Sequence, residues 1–295
     1  MKLAEFEAWA RAEVDAVETA LQTWVPSNAP AGLGRTMRYG VLDGGKRVRP
    51  LLVLAAAQTV HGQRDAALRA ACAVELIHAY SLIHDDMPCM DNDVLRRGKP
   101  TVHVQFGEAQ AMLAGDAMQA LAFEVLTPDE GVPPALQARL CSLLARSAGH
   151  AGMAGGQAID LASIGHPLDE HTLRDMHHRK TGALLQASVL MGAACGQATP
   201  AQWAALADYG DALGLAFQVV DDILDVTQAS ATLGKTAGKD LDNNKPTYVT
   251  VLGLAAARRH ANELRDQAQA ALARSGLPDA AWLSLLADKV VERDN

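Results

Sequence analysis

The stretch ACAVELIHAYSLIHDD, residues 71–86, is an apolar segment that carries four polar residues at helical spacing. Glu75, His78, Ser81 and Asp85 recur every three or four residues, so on a helix they form a single stripe. The residues between them are apolar on nearly all sides, which is typical of a helix buried inside a protein. A polar stripe on such a helix indicates a wall that lines an internal cavity.

Helical periodicity extends from this stretch over almost the whole chain. Strand signals, meaning short β-branched runs that alternate apolar and polar residues, are essentially missing. Turn-forming stretches such as Arg97-Gly98-Lys99-Pro100 fall where helices should end. We therefore predict one large all-α domain over residues 1–295. Its helices should include residues 50–60, 65–86, 108–126, 134–148, 172–192, 200–225 and 255–274.

The composition argues against several classes of protein. A net charge of −8 disfavours nucleic acid as the main partner, because binding its phosphates demands clustered cations. The four cysteines are scattered without a CxxC pair, which is typical of reduced thiols. The N-terminus lacks the features of a signal peptide, and no stretch approaches the ~20 apolar residues of a membrane helix. We predict a cytoplasmic protein with no membrane span.

An aspartate cluster follows a second apolar segment, LGLAFQVV. Gln218, Asp221, Asp222 and Asp225 fall at i, i+3, i+4 and i+7, on one helical face. Like charges at this spacing destabilise a helix, so the cluster needs a counter-charge. Oxygen ligands of this kind suit Mg²⁺, which binds through a few carboxylates together with waters and substrate phosphates.

A similar cluster, Asp85, Asp86 and Asp91, ends the first stretch. Asp85 and Asp91 are too far apart to share a helical face, but Pro88 tends to end a helix and lets the chain turn Asp91 back. A single DDxxD is a helix cap or a solvated face in roughly half of cases. Two clusters, each after an apolar helix and each near cations, favour the binding of metal and diphosphate.

Cations lie beside each of these features. The glycine-rich turn before residue 50 carries Lys46 and Arg49, and arginine offers a fork to diphosphate oxygens. His78 is either a satisfied buried histidine or a phosphate donor, and we favour the donor. Residues 227–246 form either a lid or a solvated loop. Six further cations stand near these features. Taken singly, each is best interpreted as a solvated surface residue, but taken together they predict a cationic pocket: Arg96, Arg97, Lys180, Lys235, Lys239 and Lys245.

The signatures of several other enzyme classes are missing. The sequence has no GxxxxGK[ST] or GxGxxG phosphate loop, no GxSxG elbow and no HExxH zinc motif. The chemistry that the residues imply is therefore metal-assisted loss of a diphosphate.

Seven short motifs occur in order between about residues 40 and 250: GGKRVRP, LIHDDMPCMDNDVLRRGKPTVH, GDAM, GGQAIDL, HRKTGALL, FQVVDDILDVT and LGKTAGKD. Together they resemble the motifs of the trans-isoprenyl diphosphate synthases. The resemblance implies an isoprenoid-synthase fold, in which long, mostly antiparallel helices surround a deep central cavity. It also implies a homodimer that takes isopentenyl diphosphate and allylic diphosphates as substrates.

The resemblance also implies roles for individual residues. Several Mg²⁺ ions would be held by Asp85, Asp86, Asp91, Asp221, Asp222 and Asp225. The leaving allylic diphosphate would be contacted by Arg96, Lys180, Lys235 and Lys245, and isopentenyl diphosphate by Lys46, Arg49, His78 and Arg97. Thr181 and Gln218 would direct oxygen dipoles at the developing carbocation. The catalytic set would be Lys180, Thr181, Gln218, Asp85 and Asp221, and Arg293 is a candidate for closing the site.

Product length is predicted from the residues before the first cluster. On a helix Tyr80 lies about 7.5 Å from Asp85 along the axis. In the family a bulky aromatic residue there acts as a floor that stops chain growth, and the two extra residues in the first motif resemble the bacterial farnesyl-forming type. Tyr80 and Ser81 are thus the predicted chain-length residues, unless Tyr80 merely packs in the core.

We therefore expect a farnesyl diphosphate synthase that extends dimethylallyl and geranyl diphosphates. One alternative is a geranylgeranyl diphosphate synthase. A second is a non-catalytic regulatory subunit, although such a subunit would be expected to lose carboxylates and all six are present.

Overall fold

A computed structural model describes residues 2–42, 44–166, 168–227 and 247–293. Their regular structure is almost entirely helical, which confirms the predicted all-α class. The helices are α1 (Lys2–Trp24), α2 (Leu33–Val41), α3 (Val48–Thr59), α4 (Arg64–Asp85), α5 (Val102–Phe106), α6 (Glu108–Leu126), α7 (Pro134–Ala148), α8 (Met153–Ala162), α9 (Glu170–His177), α10 (Ala183–Ala194), α11 (Pro200–Thr227), α12 (Tyr248–Leu252), α13 (Leu254–Ser275) and α14 (Ala281–Val291). The extent of the domain, residues 1–295, stays a prediction.

Three short elements complete the fold. A 3₁₀ turn spans Pro30–Gly32, and a π-helical turn spans His178–Gly182 between α9 and α10. Strands β1 (Leu95–Arg96) and β2 (Lys99–Pro100) form a small antiparallel hairpin. The sequence pattern missed this hairpin, because strands of two residues are too short to show a period of two.

The prediction of a single helix over residues 172–192 is wrong in part. The chain there forms α9, the π turn and α10, so one regular helix does not cover the segment. The π turn lies close to α11, since a Cβ added at Gly214 would lie 2.6 Å from the Cα of Gly182. Gly214 therefore allows the two backbones to approach more closely than a side chain at this position would permit.

Helix α4 is the centre of the largest apolar core. Twelve of its residues are buried, and it packs between α3 and α6. It is also long and apolar enough to cross a membrane by length and composition, so the expectation that no stretch approaches this size was too strict. In the structure 67% of its most apolar window is buried inside the protein.

A second and a third core flank the first. The second joins α3 and α10 to α11, α13 and α14, and the third packs α11 against α12 and α13. Gly192 of α10 meets α3 so closely that a Cβ would collide with the carbonyl oxygen of Val53. All four cysteines are free thiols, as predicted.

A buried ion pair fixes the turn that leads into α3. Arg47 has a left-handed backbone, with φ of 48°, and its side chain is 1% exposed. Its guanidinium donates to Glu75 Oε1 at 2.5 Å, to Glu18 Oε1 at 2.7 Å and to the Val41 carbonyl oxygen at 2.6 Å. Glu18 lies on α1, Val41 on α2 and Glu75 on α4, so this single side chain connects three helices to the turn.

Replacing Arg47 should destabilise the protein strongly. Arg47→Met leaves Glu75 buried without its counter-charge, and breaking such a pair costs about 3–5 kcal/mol. The matched control is Arg274→Met, which removes an exposed pair with Asp208 and should cost less than about 1 kcal/mol. Chemical denaturation measures both free energies of unfolding, and equal losses would contradict the assignment.

The π turn is linked to α11 by a pH-sensitive contact. His178 Nδ1 lies 2.7 Å from Asp211 Oδ1, and the hydrogen bond to Asp211 raises the pKa of His178. Because the pKa of His178 is higher in the folded than in the unfolded state, the contact stabilises the protein fully at pH values below the unfolded-state pKa of about 6.5. This stabilisation is lost as the pH rises through the folded-state pKa. Both side chains are more than a third exposed, so the contribution should be below about 1 kcal/mol.

His178→Gln should therefore lower the melting temperature more at about pH 5.5 than at about pH 9. Thermal unfolding of wild type and variant at both pH values measures the difference. His171→Gln, at an exposed position of α9, serves as the control. A loss from His178→Gln that is the same at both pH values would show that the imidazolium contributes nothing.

Candidate active site

A cavity of about 990 Å³ opens among α4, α8, α11 and the π turn. Glu75, His78, Ser81 and Asp85, the polar stripe of α4, all line it. The sequence prediction that this stripe forms the wall of an internal cavity is therefore confirmed. Much of the remaining wall is apolar, with contributions from α8 and α11.

The cavity collects most of the residues that the sequence singled out. Those that line it are Lys46, Arg49, His78, Tyr80, Ser81, Asp85, Arg96, Arg97, Lys180, Thr181, Gln218 and Asp221. Asp86, Asp91, Asp222 and Asp225 lie outside its lining. Lys235, Lys239 and Lys245 fall outside the described residues, as does most of the candidate lid.

The first cluster folds back on itself as predicted. Helix α4 ends at Asp85, and the amide of Asp91 donates to the carbonyl oxygen of Asp85 at 2.9 Å. Burial raises the pKa of the Asp85 carboxyl to about 6, and Asp91 adds to the rise while Lys180 opposes it. A buried acid with nearby acids is a place where a bound cation would be favourable.

Asp86 is held by an arginine rather than exposed to the cavity. Arg96 Nε donates to Asp86 Oδ2 at 2.8 Å, and Arg96 Nη2 donates to Oδ1 at 2.5 Å. The carboxylate is 2% exposed, and burial raises its pKa although Arg96 opposes the rise. This forked pair attaches the β1–β2 hairpin to the end of α4, and Arg96 still reaches the cavity wall.

The second cluster divides between two directions. Adjacent helical residues point about 100° apart, so Asp221 faces the cavity while Asp222 turns away. Asp222 Oδ2 accepts from the Tyr248 amide at 2.8 Å, and its Oδ1 accepts from Gln218 Nε2 at 2.8 Å. Asp222 therefore holds the start of α12, where the chain returns after residues 228–246.

Thr181 and Gln218 form one connected group. Because the carboxylate of Asp222 accepts from the Gln218 amide nitrogen, the Gln218 carbonyl oxygen points to Thr181. Thr181 Oγ1 donates to that oxygen at 2.8 Å. Both side chains line the cavity, so oxygen lone pairs are presented at its wall.

Lys180 is positioned by α8. Its Nζ donates to Asp160 Oδ2 at 2.6 Å, and Asp160 is 4% exposed. Gly156, one turn earlier on α8, lies so close that a Cβ would collide with the backbone nitrogen of Lys180. The GGQAIDL motif thus supplies both the glycine that lets α8 approach the backbone of Lys180 and the aspartate that pairs with its ammonium group.

A group of cations shares the wall near the start of α3. Burial lowers the pKa of Lys46 and of Arg49, and Arg293 lowers both further. Burial, followed by Arg49 and Arg97, holds the pKa of His78 well below its ordinary value, so its imidazole is neutral near pH 7. A neutral imidazole still donates one hydrogen bond, which keeps His78 a candidate phosphate donor.

The glycine-rich turn supports these cations. Gly44 and Gly45 have φ of 74° and 134°, which residues with side chains rarely adopt. Arg97 Nη1 donates to the carbonyl oxygen of Gly44, and its guanidinium occupies the space that a Cβ on Gly45 would need.

Tyr80 and Ser81 line the cavity one turn before Asp85. The Tyr80 ring meets His84 edge to face, with centroids 5.7 Å apart. The imidazole of His84 lies against Gly115 of α6, where a Cβ would overlap it, and its Nε2 is 3.1 Å from the Met112 carbonyl oxygen. The glycine of the GDAM motif therefore provides the space for this ring.

Sequence reasoning left several wall residues unassigned. Gln157 and Phe217 stand inside motifs that the resemblance quoted, so their motif positions were the available signal. Met90 lies inside the first cluster, directly before Asp91, and inside the motif quoted for that cluster. Arg293 lines the cavity too, although it lies far along the chain from the other wall residues.

The described residues contain no ready-made cluster of three or more histidines, cysteines, aspartates or glutamates that could hold a metal ion. Asp85 and Asp221 are the two aspartates of the clusters that face the cavity. Carboxylates near cationic side chains suit Mg²⁺, which takes few protein ligands and completes its shell with water and phosphate. These residues fit a metal that binds together with an anionic substrate.

Comparison with known proteins agrees with this geometry. The farnesyl diphosphate synthase of Geobacillus stearothermophilus is 44% identical over 292 residues, which cover 98% of this chain and 98% of that protein. The chloroplastic geranylgeranyl pyrophosphate synthase of Catharanthus roseus is 45% identical over 293 residues, covering 99% of this chain and 82% of that protein.

A solved structure supports the same relationship. The geranyltransferase from Helicobacter pylori complexed with magnesium and isoprenyl diphosphate superposes with a TM-score of 0.85 and 34% identity, covering 96% of this chain and 95% of that one. A family model described as Polyprenyl synthetase matches residues 30–276. The resemblance seen in the motifs is thus confirmed, and the chain belongs to the polyprenyl synthetase family.

Proposed function

We propose that this prenyltransferase of isoprenoid biosynthesis condenses isopentenyl diphosphate with dimethylallyl and geranyl diphosphates and stops at farnesyl diphosphate. The observation that carries the proposal is one cavity in which Asp85, Asp221 and several cations meet a largely apolar wall with Tyr80 on it. The charged residues suit diphosphates, and the apolar wall suits a growing prenyl chain.

The first step is loss of the allylic diphosphate. Lys180 and Arg96 lie at the wall where they can stabilise charge on the departing group, which favours the transition state over the ground state. Asp85 and Asp221, with the other four aspartates in support, would hold Mg²⁺, which would further neutralise the charge of the diphosphate. The metal in the Helicobacter pylori complex supports this assignment.

The second step is attack on the allylic cation. Lys46, Arg49, His78 and Arg97 would fix isopentenyl diphosphate, so that its double bond is positioned for attack. Thr181 and Gln218 would direct oxygen dipoles at the positive charge. The apolar wall excludes water that would otherwise convert the cation to an alcohol. We assign loss of the final proton to the released diphosphate, since no side chain stands out as a base.

The farnesyl product rests on Tyr80. The ring lies on the cavity wall about 7.5 Å from Asp85 along the same helix, so a growing chain anchored at the aspartates would meet it. The relatives carry both farnesyl and geranylgeranyl names, so the comparisons leave the choice between these products open.

We further propose a homodimer, as the family resemblance implies. Helix α6 leaves Met112 and Leu113 40% and 53% exposed, and Val104 of the adjacent α5 is 50% exposed. Exposed apolar residues on two helices that pack together favour burial against another protein surface. A cytoplasmic location stays a prediction from the cysteine pattern and the N-terminal sequence.

Removing a carboxylate from the cavity should abolish most activity. We expect Asp221→Asn to lower kcat/KM by at least about 10²-fold, without repair by added Mg²⁺. The matched control is Asp208→Asn, an exposed aspartate of the same helix that should keep full activity. The assay mixes protein, Mg²⁺, isopentenyl diphosphate and geranyl diphosphate and identifies products by mass spectrometry.

Full activity of Asp221→Asn would overturn the mechanism. A wild-type protein that makes no product with any allylic primer would instead support the regulatory-subunit alternative.

Tyr80→Ala should lengthen the product beyond fifteen carbons, because the smaller side chain removes the floor of the cavity. Tyr80→Phe keeps the ring and should still give the fifteen-carbon product. Chromatography of the dephosphorylated prenyl alcohols measures the chain length. If Tyr80→Ala gives the wild-type product, Tyr80 is not the floor; if wild type makes twenty carbons, the geranylgeranyl alternative is correct.

A further inference from the structure

Arg293 enters the cavity from a part of the chain that contains no other site residue. Its Nη2 donates to Asp221 Oδ1 at 2.6 Å and to the Phe217 carbonyl oxygen at 2.7 Å. Its guanidinium carbon lies 3.8 Å from the centroid of the Phe217 ring. The arginine is therefore bound to a carboxylate oxygen of Asp221, the aspartate of the second cluster that faces the cavity.

A packed helix presents this arginine. Leu283, Leu286 and Val290 of α14 are buried in the second core, and the helix ends at Val291. The hydroxyl of Tyr209 on α11 also donates to the Leu283 carbonyl oxygen at 2.7 Å. Helix α14 is thus packed firmly against α11, and Arg293 lies only two residues beyond its last residue.

The surroundings of Arg293 are crowded with positive charge. Lys46 and Arg49 line the same cavity, and Arg49 also lies over the Phe217 ring, 5.7 Å from its centroid. Among the described residues, no acceptor meets the buried Nε of Arg49 or of Arg293. Arg49 and Arg293 thus lie over the same Phe217 ring, and each has an N–H group without an acceptor in the described part of the chain. Such a pair suits an anion with several oxygens.

The contact with Asp221 conflicts with metal binding at the same carboxylate. A divalent ion on Asp221 would carry the same sign of charge as the guanidinium that contacts this carboxylate, and like charges at such short range repel. Asp86, which pairs with Arg96, lies outside the cavity lining, so that pair does not occupy a cavity-facing carboxylate.

We propose that Arg293 is an exchangeable counter-ion: it pairs with Asp221 in the empty cavity and moves to a substrate diphosphate, which frees Asp221 for the metal. This inference rests on the proposed function, since it takes a diphosphate as the anion. The exchange couples the two ligands, because an anion that draws Arg293 away raises the affinity of Asp221 for a cation. It also gives the Asp221 carboxylate a counter-charge before substrate arrives.

The test compares Arg293→Gln with Arg274→Gln, whose exposed partner Asp208 lies on the same helix as Asp221. Binding of Mn²⁺ to the full-length protein is measured by electron paramagnetic resonance, without and with saturating inorganic pyrophosphate. Without pyrophosphate, Arg293→Gln should bind Mn²⁺ about three- to tenfold more tightly than wild type, and Arg274→Gln should match wild type. Arg293→Lys, which keeps the charge but loses the planar fork, should fall between them.

Pyrophosphate distinguishes an exchange from a fixed pair. It should tighten Mn²⁺ binding in wild type by a larger factor than in Arg293→Gln, and calorimetry with Mg²⁺ present should show weaker pyrophosphate binding to the variant. Unchanged Mn²⁺ affinity in both Arg293 variants would overturn the pairing, and unchanged pyrophosphate affinity would overturn the exchange. Failure of the proposed function shows separately, as a wild-type protein that binds these ions but makes no prenyl product.

Discussion

Charge held inside a largely apolar cavity is the constraint on which the structure depends. A buried charge is costly unless a partner compensates it, and removing one partner leaves the other exposed to the full cost. Several charged wall residues are accordingly paired with a residue from a different element. The pairs are Arg47 with Glu75 and Glu18, Arg96 with Asp86, Lys180 with Asp160, and Arg293 with Asp221. These contacts place the site and connect the helices around it.

The parts predicted correctly from the sequence are those set by local periodicity. The polar stripe of α4 needed only a spacing of three and four residues, and the return of Asp91 needed only the proline between the two acids. The remaining placements depend on distant neighbours. Helical spacing put Asp221 and Asp222 on one face, but the packing of α12 decides that Asp222 accepts from Tyr248 while Asp221 meets the cavity.

Other features could not be predicted from the sequence, because tertiary packing determines them. The π turn packs against Gly214 of a separate helix, and no local pattern separates it from the helices on either side. Arg47 stands between two cations assigned to substrate, and its own role as a buried connector follows from acids on α1 and α4. Arg293 was a candidate from the sequence, but its pairing with Asp221 required knowledge of where the last helix packs. The family motifs identified the wall, whereas the pairing within the wall required coordinates.

The continuity of α4 gives the cavity a property of its own. Tyr80 and Asp85 stand on one uninterrupted helix, whose backbone hydrogen bonds fix their separation. Motions of the neighbouring helices can widen or narrow the space between walls, but they leave this length almost unchanged. Under the proposed function this helix would set the length of the product, so thermal or ligand-driven motion of its neighbours should alter the rate of synthesis far more than the number of carbons.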